Sequence, residues 1–410
     1  MINIFKNLTR PTRNVLKRCF KQLCSLLADI SGSSARNKVR NFEFLLSCCN
    51  SGWKAFDLST WQIIEEKTLS FVHSMRFGET CQYRYSPSCS QPTLYASVYA
   101  CLIRGLYDNL DNLSEKQKMD WVAYFDSFQS PNDGLFRDPA TASPSFDLYD
   151  WWGSRHLLLH ILPAYTLLGA KPKYPLSFLE RYLTPAGVSQ WLDSLDWNSE
   201  DNDIDNQIMN IGASMQYARD YLALDGARDC FKKLLSELGE RIYPDTGMWS
   251  ASSLSTPEKL SRSVQFAYHL YPLFKYDNVC VKYSKKLVMK TLETQNALGG
   301  FGVPWNSSAC EDMDSAWLLI RLCDEVGFSS EANFAIRRFV PWCLANLNDD
   351  GGFVFRRNES MIYGHHQMQS VKNESALFPT WFRSLALVLC REFLDRTTTS
   401  KVLRCPGYYS

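Results

Sequence analysis

The chain has 410 residues, 44 Lys and Arg against 43 Asp and Glu, a formal net charge of +1 and 45% hydrophobic residues. Near-neutrality gives no field that would gather nucleic acid, and no apolar run is long enough for a membrane span. The fourteen cysteines are scattered singly apart from Cys48-Cys49, with no Cys-x-x-Cys pair and no secretory signal, so reduced thiols in a cytoplasmic protein are expected.

Residues 1–28 carry Lys6, Arg10, Arg13, Lys17, Arg18 and Lys21, with no acid before Asp29. Val15, Leu16, Phe20, Leu23, Leu26 and Leu27 interleave with them at helical spacing. A basic amphipathic segment suits an anionic membrane surface, a transit peptide or packing on the body of the protein. Gly32 and the serines around it read as a short linker, which sets an N-terminal segment of 1–36, a body of 37–395 and a tail of 396–410.

Along the body an aromatic residue recurs at Tyr85, Phe136, Trp197, Trp249, Phe301 and Phe353, and the last four are each 52 residues apart by subtraction. Four of the six close a Gly-containing turn: Asn132-Asp133-Gly134-Leu135-Phe136, Asp245-Thr246-Gly247-Met248-Trp249, Leu298-Gly299-Gly300-Phe301 and Asp350-Gly351-Gly352-Phe353. Those at Tyr85 and Trp197 lack the glycine. A period near 52 holds two helices with their connections. Before each turn lies an amphipathic helix. After it comes a polar stretch, then a helix apolar nearly all round, as in Leu157 to Leu168, Val264 to Phe274, Ala316 to Leu322 and Trp381 to Leu389. Helices apolar all round are buried, so six units predict an all-α (α/α)6 toroid with these as the inner ring, clearest over residues 70–390.

The turn grammar resembles the repeat of the terpenoid cyclase and protein prenyltransferase superfamily, in which Gln precedes Asp-Gly-Gly and then Phe or Trp. Gln129 to Phe136 and Gln295 to Phe301 carry it best, and Asn348 to Phe353 carries it without the Gln. The resemblance implies the same toroid and an enzyme, of lyase or isomerase type, acting on an isoprenoid or its diphosphate.

Chemistry in such a ring sits where the inner helices begin. The mouth is expected to hold Asp150, Arg155, His156, Asn206, Arg262, Glu311, Asp312, Asp314 and Glu374. Glu311, Asp312 and Asp314 occupy the place of the cyclase Asp-x-Asp-Asp-Thr-Ala motif, although its middle Asp is here Met313. These acids are the expected catalytic group, with magnesium as a candidate cofactor, Arg155 or Arg262 as a diphosphate clamp and helix capping as the plain alternative. Replacing Asp312 and Asp314 together by Asn is expected to abolish activity and spare the fold. A prenyltransferase-type zinc site is not expected, because no thiolate or histidine stands at the matching positions. Asp150-Trp151-Trp152-Gly153-Ser154-Arg155-His156, with His160 one turn on, offers a second group. Trp152 and its neighbour could stack on a sugar, and Asp150, His156 and Glu374 could act on it, which makes a glycan lyase or hydrolase the alternative function. A toroid that binds a protein or glycan without chemistry is the third reading. Met361 to Gln369, with His365 and His366, forms a long loop suited to a lid or an exposed surface loop.

Overall fold

The computed structural model describes residues 58–78, 81–142, 151–197, 203–249, 254, 256–302, 306–396 and 405–408. The basic N-terminal segment, the linker and Asp150 lie outside the described residues. The helices run as six hairpins. Outer helices are α1 (Leu58–Ser74), α3 (Glu115–Asp126), α5 (Pro185–Asp193), α7 (Ala227–Glu240), α9 (Ser284–Glu293) and α11 (Ser329–Leu344). Each is followed by an inner partner: α2 (Leu94–Leu106), α4 (Ser154–Leu167), α6 (Ile204–Tyr221), α8 (Pro257–Tyr276), α10 (Ala309–Val326) and α12 (Leu377–Asp395). Successive inner helices pack on one another, and α12 packs back on α2, which closes the ring.

Burial follows the sequence pattern. In α2 every residue but Arg104 is buried. In α7 only one stripe is, formed by Cys230, Phe231, Leu234, Leu235 and Leu238 at helical spacing, as an outer-ring helix requires. No helix among the described residues is long and apolar enough to cross a membrane.

The recurring turns are the joints of the ring. Gln129 bridges to Phe136, Tyr243 to Met248, Gln295 to Phe301 and Leu347 to Phe353 in short antiparallel contacts. Phe136, Trp249, Phe301 and Phe353 are fully buried between helices. Gln295 Nε2 donates to Gly299 O (2.9 Å) and to Ala335 O of α11 (2.8 Å), and its Oε1 accepts from Arg338 (2.9 Å). Gln129 likewise binds Gly134 O (3.0 Å) and Tyr174 O (2.9 Å). The Gln of the repeat is therefore a bracket between its own turn and the next hairpin. Gly351 has φ 89°, and a Cβ there would lie 2.1 Å from Lys67 O of α1, so only glycine lets the last turn meet the first helix.

Two features depart from the simple repeat. The long loop before α12 contains a small hairpin, β1 (Met361–Ile362) and β2 (Gln369–Ser370), whose Tyr363 is buried against Phe378 with ring centroids 4.2 Å apart. The tail returns at Cys405–Tyr408 to the centre of the ring, where Tyr408 is buried with its ring edge-on to Trp381 at 5.5 Å.

Candidate functional site

A half-open cavity of ≈ 400 Å³ lies among the inner helices. Trp151, His156 and His160 line it at α4, Asp203 and Asn206 at α6, Arg262, Gln265, Tyr268 and His269 from α8, and Asp314 from α10. The hairpin adds Met361, Ile362 and Tyr363, and the tail adds Tyr408. Of the expected mouth residues, His156, Asn206, Arg262 and Asp314 come together here. In the loop read from sequence as a lid or an exposed stretch, Ile362 borders the cavity and is 55% exposed.

The electrostatic centre is Asp205, fully buried at the start of α6. Arg262 grips it with two bonds, Nη1 to Oδ2 at 2.7 Å and Nη2 to Oδ1 at 2.8 Å, and His269 Nδ1 lies 2.7 Å from Oδ2. Burial alone would raise the Asp205 pKa, but His269 and Arg262 hold it well below the usual carboxylate range. A carboxylate held between a planar fork and an imidazole stays ionised and fixes both partners.

Asp314 is its counterpart. Its side chain is 1% exposed, lines the cavity, and neither carboxyl oxygen has a hydrogen-bond partner among the described residues. Burial pushes its pKa well above the ordinary value; Glu311, Asp205 and Asp312 push the same way, and Arg262 opposes them. A carboxyl group whose surroundings favour its protonated form thus faces the cavity, while the ionised Asp205 lies behind the lining residues Arg262 and His269. Two carboxyl groups with environments driving their pKa values apart are the signature of an acid working beside a charge.

The other acids expected to be catalytic are structural. Asp312 Oδ1 accepts from Phe301 N (2.9 Å) and Ser307 Oγ (2.7 Å); Oδ2 accepts from Trp342 Nε1 (2.8 Å) and Arg383 Nη1 (2.6 Å). With every lone pair occupied and no exposure, it ties the fifth turn to α11 and α12 and has no capacity left for substrate. Glu311 closes a capping box with Ser308 and pairs with Arg356 at 2.9 Å, so capping explains it. Glu374 accepts from Ser88 N and Oγ, both at 2.7 Å, and from Val371 N at 2.8 Å, which makes it a clip between loops away from the cavity. Trp152 is buried, stacked on Tyr95 at 4.9 Å and 13°, and does not line the cavity; its neighbour Trp151 does and is 36% exposed. Arg155 is half-buried outside the lining. Arg262 spends its fork on Asp205, which removes the expected diphosphate clamp.

His156 and His160 meet at Nε2–Nε2 3.4 Å. Burial pulls His156 down to about 3, and His160 well below its ordinary value, so both rings are neutral. Among the described residues no group of three or more His, Cys, Asp or Glu is placed to hold a metal ion.

His269, Tyr268 and Tyr408 were not anticipated, and Tyr363 only as part of the Met361 to Gln369 loop. His269 had a legible signal: Arg262, Gln265 and His269 recur at three- and four-residue steps on an otherwise apolar helix and so share one face. Tyr363 and Tyr408 had none, because both arrive through irregular segments.

The fold is an (α/α)6 toroid, and its central cleft is lined by aromatic rings, histidines, Arg262, Asp203 and Asp314. No known family matches the sequence, and no curated protein matches it. Among solved structures the chain is similar to the GH76 α-mannanase of Bacteroides thetaiotaomicron, solved as a selenomethionine derivative, with TM-score 0.44 and 12% identity over 84% of this chain and 97% of that one. At that identity and score the likeness carries no residue role across. The expected kinship with terpenoid cyclases and prenyltransferases is corrected by this comparison, which returns a glycoside hydrolase instead. The physical reason is that the shared Gln, Gly and Phe positions are joints of the ring, and Asp312 at the cyclase position is a buried strut.

Proposed function

We propose that the chain is a glycoside hydrolase acting on a neutral glycan. The observation that carries this is Asp314, a buried carboxyl without hydrogen-bond partners that lines a half-open cleft beside an ionised Asp205. Asp314, whose burial favours the protonated form, donates its proton to the glycosidic oxygen as the bond to the anomeric carbon breaks. The Asp205 carboxylate favours the positive charge that develops on the sugar ring. Because that carboxylate takes the Nδ1 proton of His269 as a hydrogen bond, a neutral His269 has Nε2 as its acceptor, the nitrogen suited to take a proton from the attacking water. Trp151 and the tyrosines supply faces for sugar rings.

Charge selects the substrate class. Asp203 and Asp314 border the cleft, and the arginine among the lining residues, Arg262, has its fork on Asp205 behind them. An anionic ligand, whether a uronate polymer or a diphosphate, would therefore meet an arginine whose charge is already balanced. This favours hydrolysis of a neutral sugar over lyase chemistry. The test is incubation of the full chain with a panel of neutral oligosaccharides, reading new reducing ends and product masses, with Asp314→Asn as control. Turnover that disappears in the control supports the proposal. No turnover across the panel by well-folded protein, or full activity in Asp314→Asn, rejects it.

A further inference from the structure

The floor of the cleft is crossed by one chain of hydrogen bonds whose direction can be worked out from its ends. Tyr95 Oη lies 2.8 Å from Gly153 O, and a carbonyl has no proton to give, so the tyrosine donates there. Gly153 N in turn donates to Tyr95 Oη at 3.0 Å. The hydroxyl proton is committed, so the contact at 3.1 Å between Tyr95 Oη and His156 Nδ1 requires the histidine to donate. His156, neutral in this buried place, then has Nε2 as an acceptor, and the 3.4 Å contact with His160 Nε2 requires His160 to donate from that nitrogen. His160 Nδ1 is left as an acceptor, and Tyr408 Oη is bonded to it. Tyr408 is held in place by the tail itself. Gly407 has φ 89°, and a Cβ there would lie 2.4 Å from Leu159 Cδ1 of α4, while Cys405 is buried with its Sγ 3.6 Å from Thr166 Oγ1.

We propose that Tyr408 completes the cleft as a sugar-binding residue whose hydroxyl is oriented by the histidine chain. It donates its hydroxyl proton inward to His160, whose tautomer is set from the Tyr95 end, and leaves its own oxygen to accept a substrate hydroxyl. All three side chains border the cavity. The chemical class such a floor takes is a neutral polyol ring, whose hydroxyl protons need fixed acceptors, and the fixed donor direction removes the alternative pattern that would reject them. The sugar-binding role rests on the glycoside hydrolase reading; the order of the hydrogen bonds does not.

The experiment is ¹⁵N NMR of histidine-labelled full chain, wild type and Tyr408→Phe, with kinetics on a neutral oligosaccharide. Wild type is expected to show single neutral tautomers, His156 protonated at Nδ1 and His160 at Nε2, from about pH 5 to 8. This reading needs no variant to fold. Tyr95→Phe removes the acceptor of the His156 Nδ1 proton and should turn both rings into tautomer mixtures, whereas Tyr408→Phe keeps the Tyr95 end and leaves the tautomers as they are. KM for the oligosaccharide should rise about tenfold with kcat within about twofold, the effect of one lost hydrogen bond. A wild type with His156 protonated at Nε2, or unchanged tautomers in Tyr95→Phe, overturns the proposed order. Wild-type tautomers as stated together with no glycan turnover uphold that order and reject the sugar-binding role along with the glycoside hydrolase reading. A kcat loss with unchanged KM also rejects the binding role.

Discussion

Asp314→Asn should make the protein more stable near neutral pH while removing its activity. The folded-state pKa of Asp314 is raised well above the ordinary value, by burial first and then by Glu311, Asp205 and Asp312. The native state therefore holds a proton that the unfolded chain releases from about pH 4 upward. Where the native state binds more protons, stability falls as pH rises, at about 1.4 kcal/mol per pH unit, from the unfolded pKa up to the folded one. Asn is nearly isosteric and carries no charge, so it removes that slope and replaces one unpartnered neutral polar group by another. The buried imidazoles tilt the wild-type curve the opposite way below about pH 6.5, so only the difference between wild type and variant isolates the carboxyl. Urea denaturation of both proteins at pH 4, 5, 6 and 7 reads it. The stability difference should be small near pH 4 and grow in favour of Asn by about 1.4 kcal/mol per unit until the folded pKa is reached. Parallel curves, or a variant less stable at pH 7, would refute the account and mean that Asp314 is an ionised, paired carboxylate.

Other perturbations separate joints from chemistry. Asp312→Asn leaves the fully buried Arg383 without its counter-charge and should cost about 3–5 kcal/mol in denaturant melts. Asp205→Asn also breaks an ion pair, but Arg262 reaches solvent, so about 2–3 kcal/mol is expected, and the Asp205 contribution should fade only below about pH 4, since its folded pKa is depressed. Phe353→Ala removes a fully buried ring from the turn that meets α1 and should cost about 3–5 kcal/mol by the same melts, with no change in pH dependence. NMR titration of His156 should show no protonation until the pH approaches about 3, and a midpoint near 6.5 would contradict its burial.

These variants also show where reading the chain in one dimension stops. The 52-residue step, the buried aromatics and the alternation of amphipathic and all-apolar helices determine a ring of hairpins, because each is a local or periodic property that burial must obey. The expectation that Asp312 and Asp314 act as one pair does not survive. They stand two residues apart on α10, and helix geometry turns them to different neighbours: Asp312 to Arg383 and Trp342, Asp314 to the cavity. No local pattern distinguishes a strut from an unpartnered acid, since both are an Asp near the start of the same helix. Arg262 lines the cavity, yet whether its fork met a phosphate or the carboxylate of Asp205 depended on the packing of α6 against α8. The resemblance to a family of cyclases came from Gln, Gly and Phe positions whose work is to join hairpins, so it reported the ring and nothing of its content. The hairpin that brings Tyr363, and the tail that brings Tyr408, lie outside the repeat and carry no period. Sequence alone determined the ring because periodic burial is written into every helix. Tertiary structure decided the site, because its members come from α4, α6, α8, α10, the hairpin and the tail, and only closure of the ring sets the distances between them.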